Sequence, residues 1–321
     1  MEGLTRPVLA CAREGGAMSK ADRIVPVTGA TGRQGGAVVH HMLPKGWKLR
    51  VLTRESPSGP AAQQLAARGI EVVQGDLEDS TSLERAAGGV YGVYSVQDFW
   101  AVGAKREVQQ GKNMADAAKK VGVEHFVYSS VGGAERNSRI THWESKWEIE
   151  KYIRKVGLPA TMIRPAAFME NYYIDQVEIG ILKGTLMDPI RGNKPYQTIA
   201  VGDIGGFVAL AFERPKEFIG SELEIAGSEL TNIEAAQVFS RVLGKPVKFR
   251  KLPMPIVRVV LGQEFYEMFR WFNESGFKAD IDGLRGRYPE VRLQTLEEWL
   301  RNEGWHKRAR RVRPPKGRDD R

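Results

Sequence analysis

Residues 29–35, Gly-Ala-Thr-Gly-Arg-Gln-Gly, restrict the fold of this chain more than any other stretch. The spacing G-x-x-G-x-x-G follows a short apolar run at 23–28 and opens an amphipathic run at 35–43. Glycine permits a tight strand-to-helix turn, lets a backbone approach a pyrophosphate, and lets the helix pack closely on the strand. The helix N-terminus then offers unpaired N–H groups and a partial positive charge to phosphate. The loop predicts a nucleotide-binding β–α unit, against the plainer reading of a glycine turn that merely permits packing. Pro26 conflicts with this, because proline in a central strand removes a ladder donor. The expectation is a strand that survives with a local bulge or one missing bond.

The pattern downstream repeats the unit. Strands are expected at 48–53, 71–74, 90–96, 125–129 and 160–164. Helices are expected between them at 61–68, 81–87, 105–120 and 143–156. Thr81-Ser82-Leu83-Glu84 has the spacing of a capping box. Strands alternating with helices of this length predict an α/β fold, a doubly wound parallel sheet of the Rossmann kind. Such sheets bind ligands at the carboxyl ends of their strands. After Pro165 the rhythm breaks. A strand at 222–225, a second capping box at Thr231–Glu234, a strand at 246–252 and helices at 256–272 and 295–303 predict a smaller C-terminal α+β lobe. The expected division is an extension at 1–20, a nucleotide domain at 21–165, a substrate or partner lobe at 166–304, and a basic tail at 305–321.

The end of the second strand bears on the cofactor. An acidic residue about 20 positions after the loop would bind the ribose 2′-hydroxyl of NAD. Here the strand ends Leu52-Thr53-Arg54-Glu55. Arg54, with Arg33 inside the loop, suits a 2′-phosphate through charge-assisted bonds, which favours NADP(H) over NAD(H). The competing reading leaves Arg54 on the surface and gives the ribose to Glu55.

Six stretches together resemble the NmrA-like family, atypical members of the short-chain dehydrogenase/reductase superfamily, and most closely its NADPH-sensor branch. They are VTGATGRQGG (27–36), VLTR (51–54), EVVQGDLED (71–79), VYSS (127–130), HWESKWEIEKYI (142–153) and IRPAAFMENY (163–172). The resemblance implies that Gly29, Thr31, Gly32, Arg33, Gln34 and Gly35 hold the phosphates and that Arg54 meets the 2′-phosphate. It places Asp76 and Leu77 near the adenine, Ser95 and Val96 beside the cofactor, and Lys146 on the nicotinamide ribose. Pro165 and Phe168 should flank the nicotinamide, and Asn171 should face the pocket.

The superfamily's usual catalyst, Tyr-x-x-x-Lys, puts both residues on one helix face. Here the stretch is His142-Trp143-Glu144-Ser145-Lys146. Lysine is retained and histidine replaces tyrosine, so whether the chain is an enzyme stays open. In one reading His142 or a water supplies a proton while NADPH reduces an enone- or quinone-like acceptor, a role open to a group that titrates near neutrality. In the other, NADP(H) occupancy alters a surface offered to a regulatory protein partner. A third gives His142 no task beyond starting a helix. Phe99, Trp100, Tyr172 and Tyr173 would suit a flat apolar ligand, or pack between the lobes. Ser129 and Ser130 end a strand where the resemblance puts a substrate-side serine.

No cysteine or carboxylate cluster has metal-site spacing, and no apolar run approaches the roughly 18 residues of a membrane span. The single cysteine, Cys11, fits a reducing compartment, and a cytoplasmic location is expected. The net charge of +9 is concentrated at one end: residues 305–321 hold eight Lys or Arg against two Asp, which leaves about +3 for the rest. The tail's Pro-Pro-Lys-Gly and lack of apolar periodicity predict disorder rather than a nucleic-acid site. The first 17 residues are too weakly apolar for a signal peptide, and Met18 stands directly before the first strand as an alternative start. Oligomeric state is not legible.

Overall fold

The computed structural model describes residues 22–54 and 56–308. The extension with Cys11 and Met18, Glu55, and the tail from 309 onward lie outside the described residues. Strand β1 (Ile24–Val27) runs through the loop into α1 (Arg33–Met42). The alternation continues through β2 (Lys48–Thr53), α2 (Pro60–Ala66), β3 (Glu71–Gln74), α3 (Ser80–Ala87) and β4 (Gly92–Ser95). It ends with α4 (Phe99–Val121), β5 (His125–Ser129), α5 (Thr141–Lys155) and β6 (Ala160–Pro165).

The main sheet has the order β3-β2-β1-β4-β5-β6, extended at its far edge by β10 (Glu222–Ile225), with every pairing parallel. This is the expected doubly wound Rossmann sheet, and its order reverses between β1 and β4. Val25, Val27, Val93, Phe126, Val127 and Ile163 are fully buried in the layers on its two faces. Pro26 produces no bulge. Its register with β2 continues as Pro26↔Arg50. Tyr91 N donates to Ile24 O and Thr28 N donates to Tyr94 O, so Pro26 turns toward β4 between these two bonds. The β1–β4 ladder is correspondingly thin, with the single registered pair Val27↔Tyr94.

Beyond β6 come β7 (Ala167–Phe168), α6 (Asp175–Leu182), β8 (Thr185–Asp188), β9 (Tyr196–Ile199), α7 (Val201–Glu213) and α8 (Pro215–Phe218). After β10 follow β11 (Ser228–Leu230), α9 (Asn232–Leu243), β12 (Lys248–Lys251), α10 (Met254–Val260), α11 (Gln263–Glu274), α12 (Ile281–Arg287), α13 (Leu296–Asn302) and α14 (Trp305–Arg308). β7, β9 and β11 form one small sheet, and β8 with β12 another. A second core gathers Met169, Leu186, Phe239, Trp299 and Trp305. Two elements from beyond residue 165 return to the main sheet: β10 pairs with β6, and α7 packs on α1.

Three further expectations need correction. The first capping box does not form: Asp79 caps α3, accepting from Thr81 N at 3.0 Å, because the carboxylate is the stronger acceptor and the helix starts one residue earlier. The second box at Thr231 and a third at Thr295 do form. The helix expected at 256–272 is two, broken at Gly262, whose φ of +90° is outside the helical region. The tail does not begin at 305: Trp305 is fully buried, and Arg308 bonds Glu178 at 2.5 Å and lies 4.6 Å over the Tyr173 ring.

Candidate functional site

The carboxyl ends of β1 and β4 are tied together by one side chain. Thr28 Oγ1 donates to Val96 O at 2.9 Å and accepts from Val96 N at 2.8 Å, which reinforces the pair that Pro26 weakens. Gly29 follows with φ +63°, in the left-handed region. Gly35 is obligatory for a different reason: a Cβ there would lie 2.3 Å from Gly29 O. Gly32 N closes the loop on Gly29 O at 2.9 Å. α1 starts at Arg33 with Gly32 at the cap position, no side-chain cap, and no acidic residue in its first turn. Its leading N–H groups are therefore not taken by a capping side chain.

The residues expected to bind phosphate and adenine lie in this loop and at or just past the carboxyl ends of the neighbouring parallel strands. Thr31 and Arg33 are exposed, and Arg33 Nη1 donates to Glu170 O at 3.3 Å. Gln34 points inward, its Oε1 accepting from Ser129 Oγ at 2.6 Å. Arg54 is exposed at the end of β2, and its guanidinium makes no hydrogen bond among the described residues. Asp76 Oδ1 accepts from Glu78 N at 2.9 Å, and Leu77 O from Asn113 Nδ2 at 2.9 Å, which fixes the turn after β3. Ser95 is buried and accepts from Gln97 Nε2 at 2.9 Å. Val96 abuts the loop, 3.1 Å from where a Gly29 Cβ would stand. Ser130 is buried with no partner for its hydroxyl among the described residues. Pro165 is buried at the end of β6, Phe168 is half-buried in β7, and Asn171 is exposed.

After β4, α4 begins with one turn carrying Phe99 and Trp100, capped by Asp98. Gly103, at φ +76° and ψ 166°, then breaks the helix. The first turn is thereby turned against His142, whose ring lies 5.3 Å from Phe99 and 5.0 Å from Trp100. Trp100 stacks on Phe265 of α11 at 5.3 Å. Tyr172 does not join this group. It packs edge-on against Phe239 at 5.0 Å in the second core, because the turn after β7 carries it into the C-terminal lobe. Tyr173 goes the same way and donates to Glu303 at 2.7 Å.

His142 and Lys146 sit one turn apart on α5, and each is held by a carboxylate from another element. Glu264 of α11 accepts from His142 Nδ1 at 2.6 Å, from His142 N at 3.0 Å and from Thr141 N at 3.2 Å. It caps a helix that has no side-chain cap of its own. Burial lowers the His142 pKa, and the Glu264 hydrogen bond and charge oppose that. Lys146 Nζ donates to Glu107 Oε1 at 2.7 Å, and Ser145 Oγ donates to the other Glu107 oxygen. Glu107 is completely buried in α4. Sequence reasoning missed both carboxylates. Glu107 left a signal, since it falls on the same buried stripe as Gln110, Gly111 and Met114. Glu264 left none, being 122 positions from its partner. Two clefts of about 550 Å³ occur elsewhere, one beside Arg241 and Asp280 and one beside His40 and Asp203. Neither is lined by the loop or by His142.

The model of the NmrA-like family matches residues 21–300. An NmrA-like family domain-containing protein of Dictyostelium discoideum is 28% identical over 295 residues, covering 86% of this chain and 96% of that protein. The NmrA-like family domain-containing oxidoreductase hkm9 of Aspergillus hancockii is 31% identical over 261 residues, 73% of this chain and 77% of that one. The solved structure of the NADPH-dependent quinone oxidoreductase QOR2 of Escherichia coli, complexed with NADPH, has a TM-score of 0.74 at 24% identity over 87% of this chain and 99% of that one. That of NmrA, a negative transcriptional regulator, in complex with NAD, has a TM-score of 0.72 at 19% identity over 88% and 95%. With the family pattern running through the loop, the sheet order and the helix of His142 and Lys146, this chain belongs to the NmrA-like family of atypical short-chain dehydrogenase/reductase folds.

Proposed function

We propose that the chain is an NADPH-dependent oxidoreductase acting on a small flat acceptor of the enone or quinone class. The observation that carries this reading is the paired arrangement on α5. His142 and Lys146 share one helix face, each has its own carboxylate, and Phe99 and Trp100 lie against the imidazole. The cofactor fits the residues present. Gly35 makes the cradle that a Cβ would fill, the first turn of α1 has no capping side chain, and Arg33 and Arg54 are both exposed beside it.

NADPH, when bound, supplies the hydride. Gly29, Thr31, Gly32, Arg33, Gln34 and Gly35 would hold its phosphates, and Arg54 its 2′-phosphate. Asp76 and Leu77 would meet the adenine, Ser95, Val96, Pro165 and Phe168 would line the nicotinamide side, and Lys146 would bind the ribose. Phe99, packed against His142, would cover one side of the acceptor, with Trp100 at its rim. His142 gives its proton to the acceptor's carbonyl oxygen as the acceptor carbon gains hydride, and Glu264 holds the imidazole in place for that transfer. Ser130 and Asn171 are further candidates for acceptor contacts.

The second reading is a non-catalytic NADP(H) sensor, and one observation favours it. Arg33 donates to the backbone of Glu170, whose carboxylate holds Val201 N at 3.0 Å and Trp299 Nε1 at 3.3 Å in the second lobe. A 2′-phosphate that drew Arg33 away would act on that link. Parallel titration with NADPH, NADP⁺, NADH and NAD⁺, followed by turnover with a panel of quinones and enones, tests both. The reductase reading expects tight NADPH binding and steady consumption that Lys146→Ala abolishes. Tight binding without turnover on any acceptor, together with a protein complex that responds to NADP(H), overturns it in favour of the sensor.

A further inference from the structure

α10 is built unlike the other surface helices. Ile256, Val259 and Val260 stand at i, i+3 and i+4, with 45%, 86% and 70% of their surface exposed, and Leu261 follows at 45%. Val257 is fully buried, so the helix is anchored while its outer face is aliphatic. Single exposed aliphatic side chains are ordinary, but a contiguous group marks an interaction site. The flanks are basic. Lys248, Arg250 and Lys251 of β12 and Arg258 of α10 are exposed, and none forms an ion pair with a carboxylate among the described residues. Residues 246–263 contain no Asp or Glu at all.

We propose that α10 and β12 form an insertion surface for an anionic lipid bilayer. The valines protrude, and a bilayer accepts a protruding apolar tip without needing a matched groove. The four cations, exposed and close to the valines in sequence, would meet anionic headgroups while the valines enter the acyl boundary, with the long Arg258 stem able to keep its guanidinium at headgroup level. A polyanion such as nucleic acid would use the charges and leave the valines in water. A second copy would bring four like charges against four. The surface stands independently of the reductase reading.

The test is co-sedimentation of the full chain with vesicles of phosphatidylcholine containing phosphatidylserine, against vesicles of phosphatidylcholine alone. The chain should bind the anionic vesicles preferentially, with an affinity that falls as salt is raised. V259D/V260D should weaken partitioning by at least about tenfold, and K251E/R258E should remove the preference for phosphatidylserine. All four side chains are exposed, so both variants should melt as the wild type does. Binding by V259D/V260D equal to wild type would overturn the proposal and assign vesicle binding to another basic region, the tail included. So would wild-type self-association in the absence of lipid that V259D/V260D abolishes, because it would assign the face to a second copy of the chain.

Discussion

Glu264→Gln separates a buttressed proton donor from an ordinary helix cap. The native carboxylate takes three hydrogen bonds at 2.6, 3.0 and 3.2 Å, two from His142 and one from Thr141 N. Burial opposes the charge on Glu264, but the hydrogen bonds from Thr141 and His142 outweigh it and leave the carboxyl below its ordinary value. On His142 the balance runs the other way: burial lowers the imidazole pKa, Glu264 and Glu107 raise it, and Lys146 lowers it. Glutamine keeps the shape and removes the charge. A charge-assisted hydrogen bond contributes about 1.5–3 kcal/mol and a neutral one about 0.5–1.5. The protonated imidazole therefore loses about 1–1.5 kcal/mol of support, roughly tenfold in rate at neutral pH if His142 is the proton donor. The neutral imidazole gains on the protonated one, so the alkaline limb of the pH–rate profile, where the donor is lost, moves to lower pH. One backbone N–H of α5 also loses its acceptor, at about 1 kcal/mol of stability. The assay is kcat against pH for both proteins with one quinone, beside an NMR titration of the histidines. An unmoved limb and an unmoved His142 titration in a variant that merely melts earlier would refute the argument and leave Glu264 as a cap.

Gly35→Ala places a Cβ 2.3 Å from Gly29 O; nucleotide binding by calorimetry should vanish, with about 1–3 kcal/mol of stability lost to overpacking. Arg54→Ala should weaken NADPH about 10- to 100-fold, one charge-assisted contact, and leave NADH unchanged in the same titration. Lys146→Met should cost about 3–5 kcal/mol in melting because it strands the buried Glu107 carboxylate; adding Glu107→Gln should recover much of that stability without restoring turnover. Burial pushes the Asp188 carboxyl up to about 6 from the ordinary 3.8, opposed by its bonds from Ile190 N and Asn232 Nδ2. A raised folded value favours the protonated native state, so this contribution is full below the unfolded pKa and is lost as pH rises through about 6. Asp188→Asn can keep both bonds through one oxygen, and should raise melting by about 1–3 kcal/mol near pH 8 with little gain near pH 4.

The sheet was legible because its signals are local. Each strand is a short apolar run, each helix carries its own apolar stripe, and the loop's glycines answer to steric contacts within seven residues, as Gly35 against Gly29 O shows. Pro26 was legible as a missing bond, though not in its consequence: Thr28, two residues on, supplies two side-chain bonds to the strand the proline fails to reach. α7 escaped because its residues from Ile204 to Phe212 are buried on every side, so no 3.6-residue alternation marks it. Thr81 misled because a capping box and a first-turn threonine behind an Asp cap share one pattern.

The site divides along the same line. The glycine loop proposed to hold the phosphates lies on one continuous strand–loop–helix, β1 to α1, so its shape follows from local sequence. The surroundings of His142 and Lys146 are assembled across the fold, with Glu107 reaching α5 from α4 and Glu264 from α11. In a Tyr-x-x-x-Lys helix, the spacing itself supplies the interaction that tunes the phenol. In the reductase reading, with histidine in that place, the tuning group is a carboxylate that opposes the desolvation of a buried imidazole, and the one on His142 Nδ1 comes from α11, not from α5. The replacement of tyrosine is thus not decided by the helix that carries it. In that reading it depends on α11 staying docked, because undocking would remove Glu264 from His142 Nδ1 and Phe265 from Trp100 in the same movement.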